Sequence, residues 1–183
     1  MKILCLALLL ISAALPQTPP KQDPYEGLWQ GYEGEWGHVT RQVIALAETI
    51  PADKYAWRPA SGVRSVSEVF MHIAVANMGL LSYTNPKSPD TERVLHGIKI
   101  SADTEKTVTA KSDVIDWLKR SFEAVRTARL AVKPADFKRK VKIENRDGTV
   151  DGMYLRIIVH ANEHMGQLVA YARMNGITPP WSQ

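Results

Sequence analysis

The 183-residue sequence has a single cysteine, Cys5, and it sits in an apolar stretch at the amino terminus. Outside that stretch there is no thiol, which excludes disulfide frameworks, cysteine nucleophiles and thiolate metal sites from the rest of the chain. Long apolar runs are equally scarce. The run from Ile3 to Ile11 is far short of the roughly 20 residues that a membrane-spanning helix needs, and no other segment approaches that length. A charge extreme is missing too: 23 basic and 19 acidic residues leave a net charge of +4, with one local concentration from Lys133 to Arg146. A nucleic-acid footprint would interleave more basic residues with stacking aromatics, so that cluster reads as a solvated loop and no nucleic-acid partner is expected. Repeats and low-complexity tracts are lacking. The 45% hydrophobic and 23% charged composition is that of a globular protein with enough chain to bury one core.

What is present begins with Lys2, the apolar run and then Ser12-Ala13-Ala14. This is the layout of a secretory signal peptide over residues 1–14, with small residues at −3 and −1 if cleavage follows Ala14. The rival, an uncleaved anchor, would have to continue through Pro16 and Pro19. The expected protein is therefore secreted or periplasmic, with no stable membrane anchor once the signal is removed. Residues 15–22 read as a flexible leader and residues 23–183 as one domain.

The domain reads as all-α, a four-helix bundle with a long connection between helices 2 and 3. Asp23-Pro24-Tyr25-Glu26 supplies an N-cap, a proline at the first helical position and an acid three residues after the cap. Tyr32, Trp36, Val39, Val43, Leu46 and Ile50 then recur at spacings of four and three, up to a stop at Ile50-Pro51. Gly27, Gly31 and Gly34 predict irregular first turns. Ser65-Val66-Ser67-Glu68 is a capping box opening a second helix, with Val66, Val69, Ile73, Ala76 and Leu80 as its stripe and Asn85-Pro86 as its end. Residues 85–103 form a long polar connection holding His96, a candidate lid. A third helix is expected from Thr104 to Val132, capped by Asp103, on heptads of Val108, Ile115 and Phe122 and of Leu118, Val125 and Val132. Val141 to Val150 reads as a loop with local strand around Asp147-Gly148. Asp151 should cap a fourth helix that runs to Met174 or Asn175, before Gly176 and Pro179-Pro180.

The seam of that last helix is Met153, Ile157, His160, His164, Gln167 and Tyr171. At 100° per residue, His164 lies about 40° and Gln167 about −20° from His160, so all three project from one inward stripe. Two histidines at i and i+4 can share one ion. On the second helix, His72 has Glu68, Ala76 and Gly79 on its face, and the small neighbours leave an opening beside it. A lone inward histidine is more often a hydrogen-bonded core residue than a ligand. Three imidazoles and an amide in a bundle interior, however, need a partner for every polar atom, at about 1 to 3 kcal/mol for each one unsatisfied. Spacing alone leaves both readings open.

The segment His160-Ala-Asn-Glu-His164-Met-Gly-Gln167-Leu, followed by Tyr171-Ala-Arg and Gly176-Ile-Thr-Pro-Pro, resembles the last helix of the DinB-like family of metal-binding four-helix bundles. That family includes YfiT-type metal-dependent hydrolases and thiol S-transferases. Trp57-Arg58-Pro59, Ser65-Val66 and His72-Ile-Ala-Val-Ala-Asn77 are similar to its loop and second helix, where its first metal histidine resides. The resemblance implies that His72, His160 and His164 hold one divalent metal ion. Zinc or nickel is expected, although imidazole also suits copper and iron.

His160-Ala-Asn-Glu163-His164 also spells H-x-x-E-H, the signature of inverted zinc proteases. Those enzymes need an acidic ligand downstream, and residues 165–183 contain neither Asp nor Glu. Glu163 and Glu68 remain candidate catalytic bases, the latter with a capping role as well, and Gln167 and Arg156 candidate substrate-binding groups. His38 and His96 fall off the seams. The expected activity is metal-dependent hydrolysis of a small-molecule substrate, by water activated at an open coordination position. Thiol S-transfer is the alternative, disfavoured by an exported location because low-molecular-weight thiols are mainly intracellular. A non-catalytic metal- or ligand-binding bundle is the third reading. Formation of a homodimer is left open.

Overall fold

The computed structural model describes residues 31–84, 101, 103–143 and 145–182. The signal peptide, the leader, the helix start at Asp23, the Asn85-Pro86 stop and the loop with His96 lie outside them.

Helix α1 spans Tyr32–Thr49, after Gly31 at φ 90°, a left-handed conformation that glycine adopts without steric cost. All six expected seam residues, Tyr32 through Ile50, are buried. The end of α1 is held from across the bundle. The Lys111 ammonium donates to the carbonyls of Glu48 at 2.7 Å and Ile50 at 2.8 Å, which a helix C-terminus would otherwise leave unpaired.

Helix α2 spans Val66–Ser82 and opens on the expected capping box, with Glu68 N–H donating to Ser65 Oγ and Ser65 N–H to Glu68 Oε2. Its burial is broader than one stripe. Phe70, Met71 and Ala74 are fully buried, whereas Ala76 and Leu80 are only half-buried. The reason is its position, flanked by two helices.

The third helix is not continuous. A single turn, α3 (Thr104–Thr107), is followed by extended Val108 and then by α4 (Lys111–Ala131). The β-branched run Thr107-Val108-Thr109 disfavours helix at the break. Asp103 makes no side-chain cap; Thr104 Oγ1 instead accepts from Ser101 N–H at 2.8 Å. Leu118, Phe122 and Val125 are core residues as expected, while Val108 and Val132 only pack against the core edge.

Strands β1 (Lys140–Ile143) and β2 (Arg146–Thr149) form an antiparallel hairpin, where a loop was expected. Asp147 and Gly148 are not its turn. They pair with Lys142 and Val141, and the last pair before the reversal is Ile143 with Arg146. A Cβ at Gly148 would lie 2.8 Å from Ile143 Cδ1, which accounts for glycine inside a strand. A lone hairpin is marginal, and this one is docked: Arg139 donates to Thr84 O at 2.6 Å, and Val150 and Asp151 N–H to Arg139 O and Phe137 O.

Helix α5 spans Val150–Met174, and its cap is Thr149 rather than Asp151: Thr149 Oγ1 accepts from Gly152 N–H, while Asp151 lies buried in the first turn. It ends as expected at Gly176, φ 72°, in a Schellman motif with Ile177 N–H on Ala172 O and Gly176 N–H on Arg173 O. Both α1 and α2 pack against α4 and α5, so α1 and α2 stand diagonally across a four-helix bundle. None of the described helices is long and apolar enough to cross a membrane.

Candidate metal centre

The α2–α5 interface brings His72 opposite His160 and His164. Their ligand atoms all lie within 4.8 Å of one another. Ring centroids are 4.5 to 4.9 Å apart with interplanar angles of 57° to 89°, so the rings meet at their edges instead of stacking. His72 Nε2 and His160 Nε2 are 3.2 Å apart. Two imidazole nitrogens on one tetrahedral ion, each about 2.0 to 2.1 Å from it, would be about 3.3 Å apart. The donor set and its spacing therefore fit a divalent metal ion, with one position of a tetrahedron left to a ligand from outside.

Two of the three rings are fixed from behind. His72 Nδ1 contacts Glu105 Oε1 at 2.6 Å, and Arg64 Nε donates to the other carboxylate oxygen at 2.9 Å. On α5, His164 Nδ1 contacts Gln167 Oε1 at 2.9 Å, Gln167 Nε2 donates to Tyr171 Oη at 2.8 Å, and Tyr171 donates to Arg64 O at 3.3 Å. With each Nδ1–H donating to its acceptor, the Nε2 lone pairs of His72 and His164 are free for an ion. Both chains converge on Arg64, one through its side chain and one through its carbonyl. His160 is positioned differently: it is 6% exposed, and its Nδ1 has no hydrogen-bond partner among the described residues.

The electrostatics favour the ligand form of His72 and His160. Burial, then the neighbouring histidines, push His160 down to about 4. Burial also lowers His72, against the opposing pull of Glu105. Burial works to raise the Glu105 carboxyl, but hydrogen bonds from His72 and Arg64 hold it below the ordinary range. His72 and His160 are held toward the neutral form, and the carboxylate behind His72 toward the charged one.

The remaining candidates are placed as follows. Gln167 supports His164 and, with Glu105 behind His72, lines a cleft of about 640 Å³. Glu68 lines the same cleft, but its carboxylate is engaged by Ser65 N–H and by Arg58. Arg156 and Glu163 are exposed and pair with each other at 3.7 Å; neither hydrogen-bonds to the three histidines. Trp57 meets Tyr171 edge to face, centroids 5.4 Å apart, so the loop before α2 braces the Gln167–Tyr171 chain. Glu105 was not expected. It lies 33 residues from His72 on the one-turn α3, where no periodicity could point it at the site.

A family profile described as the DinB superfamily matches residues 35–168. Among solved structures, a DinB-like protein from Bacillus cereus superposes with a TM-score of 0.69 at 19% identity, over 82% of this chain and 94% of that one. A DinB-like protein from Bacillus subtilis gives 0.62 at 18% identity, covering 83% and 96%. A conserved protein from Enterococcus faecalis gives 0.64 at 16%, covering 81% and 97%. At these identities the likeness is one of fold. No curated protein matches the sequence.

Proposed function

The chain belongs to the DinB superfamily, and from that premise we propose that it is an exported, metal-dependent hydrolase acting on a small-molecule substrate. The observation that carries the reading is the convergence of His72, His160 and His164, with their supports Glu105 and Gln167 in the wall of a cleft. His72 and His164 hold their Nε2 lone pairs toward the centre because Glu105 and Gln167 engage the opposite nitrogens. Zinc or nickel bound there would lower the pKa of a water and polarise a substrate oxygen. The cleft's polar wall, including Arg64 and Gln167, would orient the substrate against that position. Glu68 and Glu163 have weaker support as bases, since each is paired with an arginine. The exported location rests on residues 1–14 and is tested by sequencing the amino terminus of the mature protein.

The decisive experiment is elemental analysis of natively purified protein, alongside a panel of esters and amides. About one zinc or nickel per chain, with retention and turnover both lost in His160→Ala, is the expected result. A metal-free protein whose thermal stability does not respond to zinc or nickel would overturn the reading.

A further inference from the structure

Beside the three histidines, the cleft brings the positive charges of Arg58, Arg64 and Lys106 against the negative charges of Glu68 and Glu105, with Gln167 also in its wall. What matters is which of these groups are already engaged. Arg58 donates through both terminal nitrogens to Glu68, and also to Val63 O at 2.7 Å. Glu68 takes Arg58 and Ser65 N–H, and Glu105 takes His72 on one oxygen and Arg64 on the other. Both carboxylates are therefore occupied. Arg64 is held only through Nε, leaving its two terminal guanidinium nitrogens without a hydrogen-bond partner among the described residues; the Lys106 ammonium makes no hydrogen bond among them either, and its charge acts on Glu68. The hydrogen-bonding capacity left in the cleft is cationic and donates. Arg64 is also the residue whose far side grips Glu105 behind His72, so these free donors lie one carboxylate away from the candidate metal centre.

We propose that the substrate carries a carboxylate or phosphate group, bound by the terminal nitrogens of Arg64 and the ammonium of Lys106, with its reacting bond directed toward the three imidazoles. The inference rests on the metal-centre reading for its orientation but not for the anion subsite itself. Planar guanidinium nitrogens match the oxygens of either anion, and the mobile ammonium supplies a second point of charge. The cleft volume of about 640 Å³ has room for such a molecule.

The test is calorimetric titration of the full chain, with and without zinc, against glutarate, methylphosphonate and the uncharged glutaramide. At least one anion should bind ten-fold or more tightly than glutaramide, and the tighter of the two identifies the group as carboxylate or phosphate. Lys106→Gln should weaken that anion ten-fold or more while leaving zinc affinity within about two-fold, because the Lys106 side chain makes no hydrogen bond to the three histidines, Glu105 or Gln167 and the change adds no new charge. Equal binding of anions and glutaramide, or an unchanged anion affinity in Lys106→Gln, would overturn the proposal. A chain that binds the anion but not zinc would refute the metal centre and leave the subsite standing.

Discussion

Glu105 Oε1 lies 2.6 Å from His72 Nδ1, and it is the only carboxylate oxygen among the described residues hydrogen-bonded to one of the three clustered histidines. The contact fixes the ring in the tautomer that offers Nε2 and raises its basicity as a ligand. Glu105→Gln preserves the shape but removes the charge, and its amide can donate to Nδ1 and select the wrong tautomer. Metal affinity should fall about 10- to 100-fold, with the helical circular dichroism unchanged. Competition against a chromophoric chelator measures this directly, and an unaltered affinity would remove Glu105 from the site.

A bound ion should also stabilise the fold. At a free metal concentration 100-fold above the dissociation constant, the native state gains about 2.7 kcal/mol. For a chain of this size that corresponds to roughly 5 to 10 °C in Tm. Zinc should produce this shift in the native protein but not in His164→Ala, and a chelator should reverse it. Differential scanning calorimetry on both proteins is the check; an equal shift in each would place the ion elsewhere.

Away from the centre, Arg129 is 1% exposed, with Nη1 2.9 Å from Glu33 Oε1 and its guanidinium 4.4 Å from the Tyr32 ring centroid. Replacing the carboxylate by an amide removes one charge that faces this buried guanidinium, so Glu33→Gln should cost about 2 kcal/mol in denaturant unfolding. Adding Arg129→Met should recover most of that loss, because an apolar chain of similar length needs no partner. A double variant no more stable than Glu33→Gln would show that the cost lies in packing.

The sequence carried the bundle well where periodicity operates over long stretches. The seams of α1 and α5, the capping box of α2 and the Gly176 stop all follow from spacing and end chemistry. Spacing also places His160 and His164 on one stripe, while His72 joined them through resemblance to known proteins. Periodicity is silent on interactions between distant elements. It missed Glu105, which reaches His72 from a single turn beyond a long connection. It missed Arg129, which is buried and pairs with Glu33 in another helix. It also read Val141 to Val150 as a loop with local strand around Asp147-Gly148, because that dipeptide is a common turn, whereas Asp147 pairs with Lys142 and Gly148 with Val141 inside a hairpin. The α3–α4 break was overlooked because the heptad of Val108 runs through a locally unfavourable Thr-Val-Thr segment.

Asp151 gives a pH signature for the start of α5. Its carboxylate is buried; it pairs with Lys138 at 2.5 Å and accepts from Thr149 Oγ1 and from Gly152 N–H at 2.7 Å. Burial works to raise its pKa, but these bonds hold it below the ordinary value. A depressed folded-state pKa means that the stabilisation is fully present above the unfolded value of about 3.9 and is lost as pH falls through the folded value. Asp151→Asn should therefore be less stable than the native chain by about 1 kcal/mol at pH 5 to 7, a modest figure because Lys138 is largely exposed. The gap should begin to narrow as pH drops below about 4 and close only below the depressed folded value, where the native carboxylate is itself protonated. Urea unfolding of both proteins from pH 3 to 7 follows the difference. A gap constant over that range would assign the effect to the neutral hydrogen bonds of the cap and not to the charge.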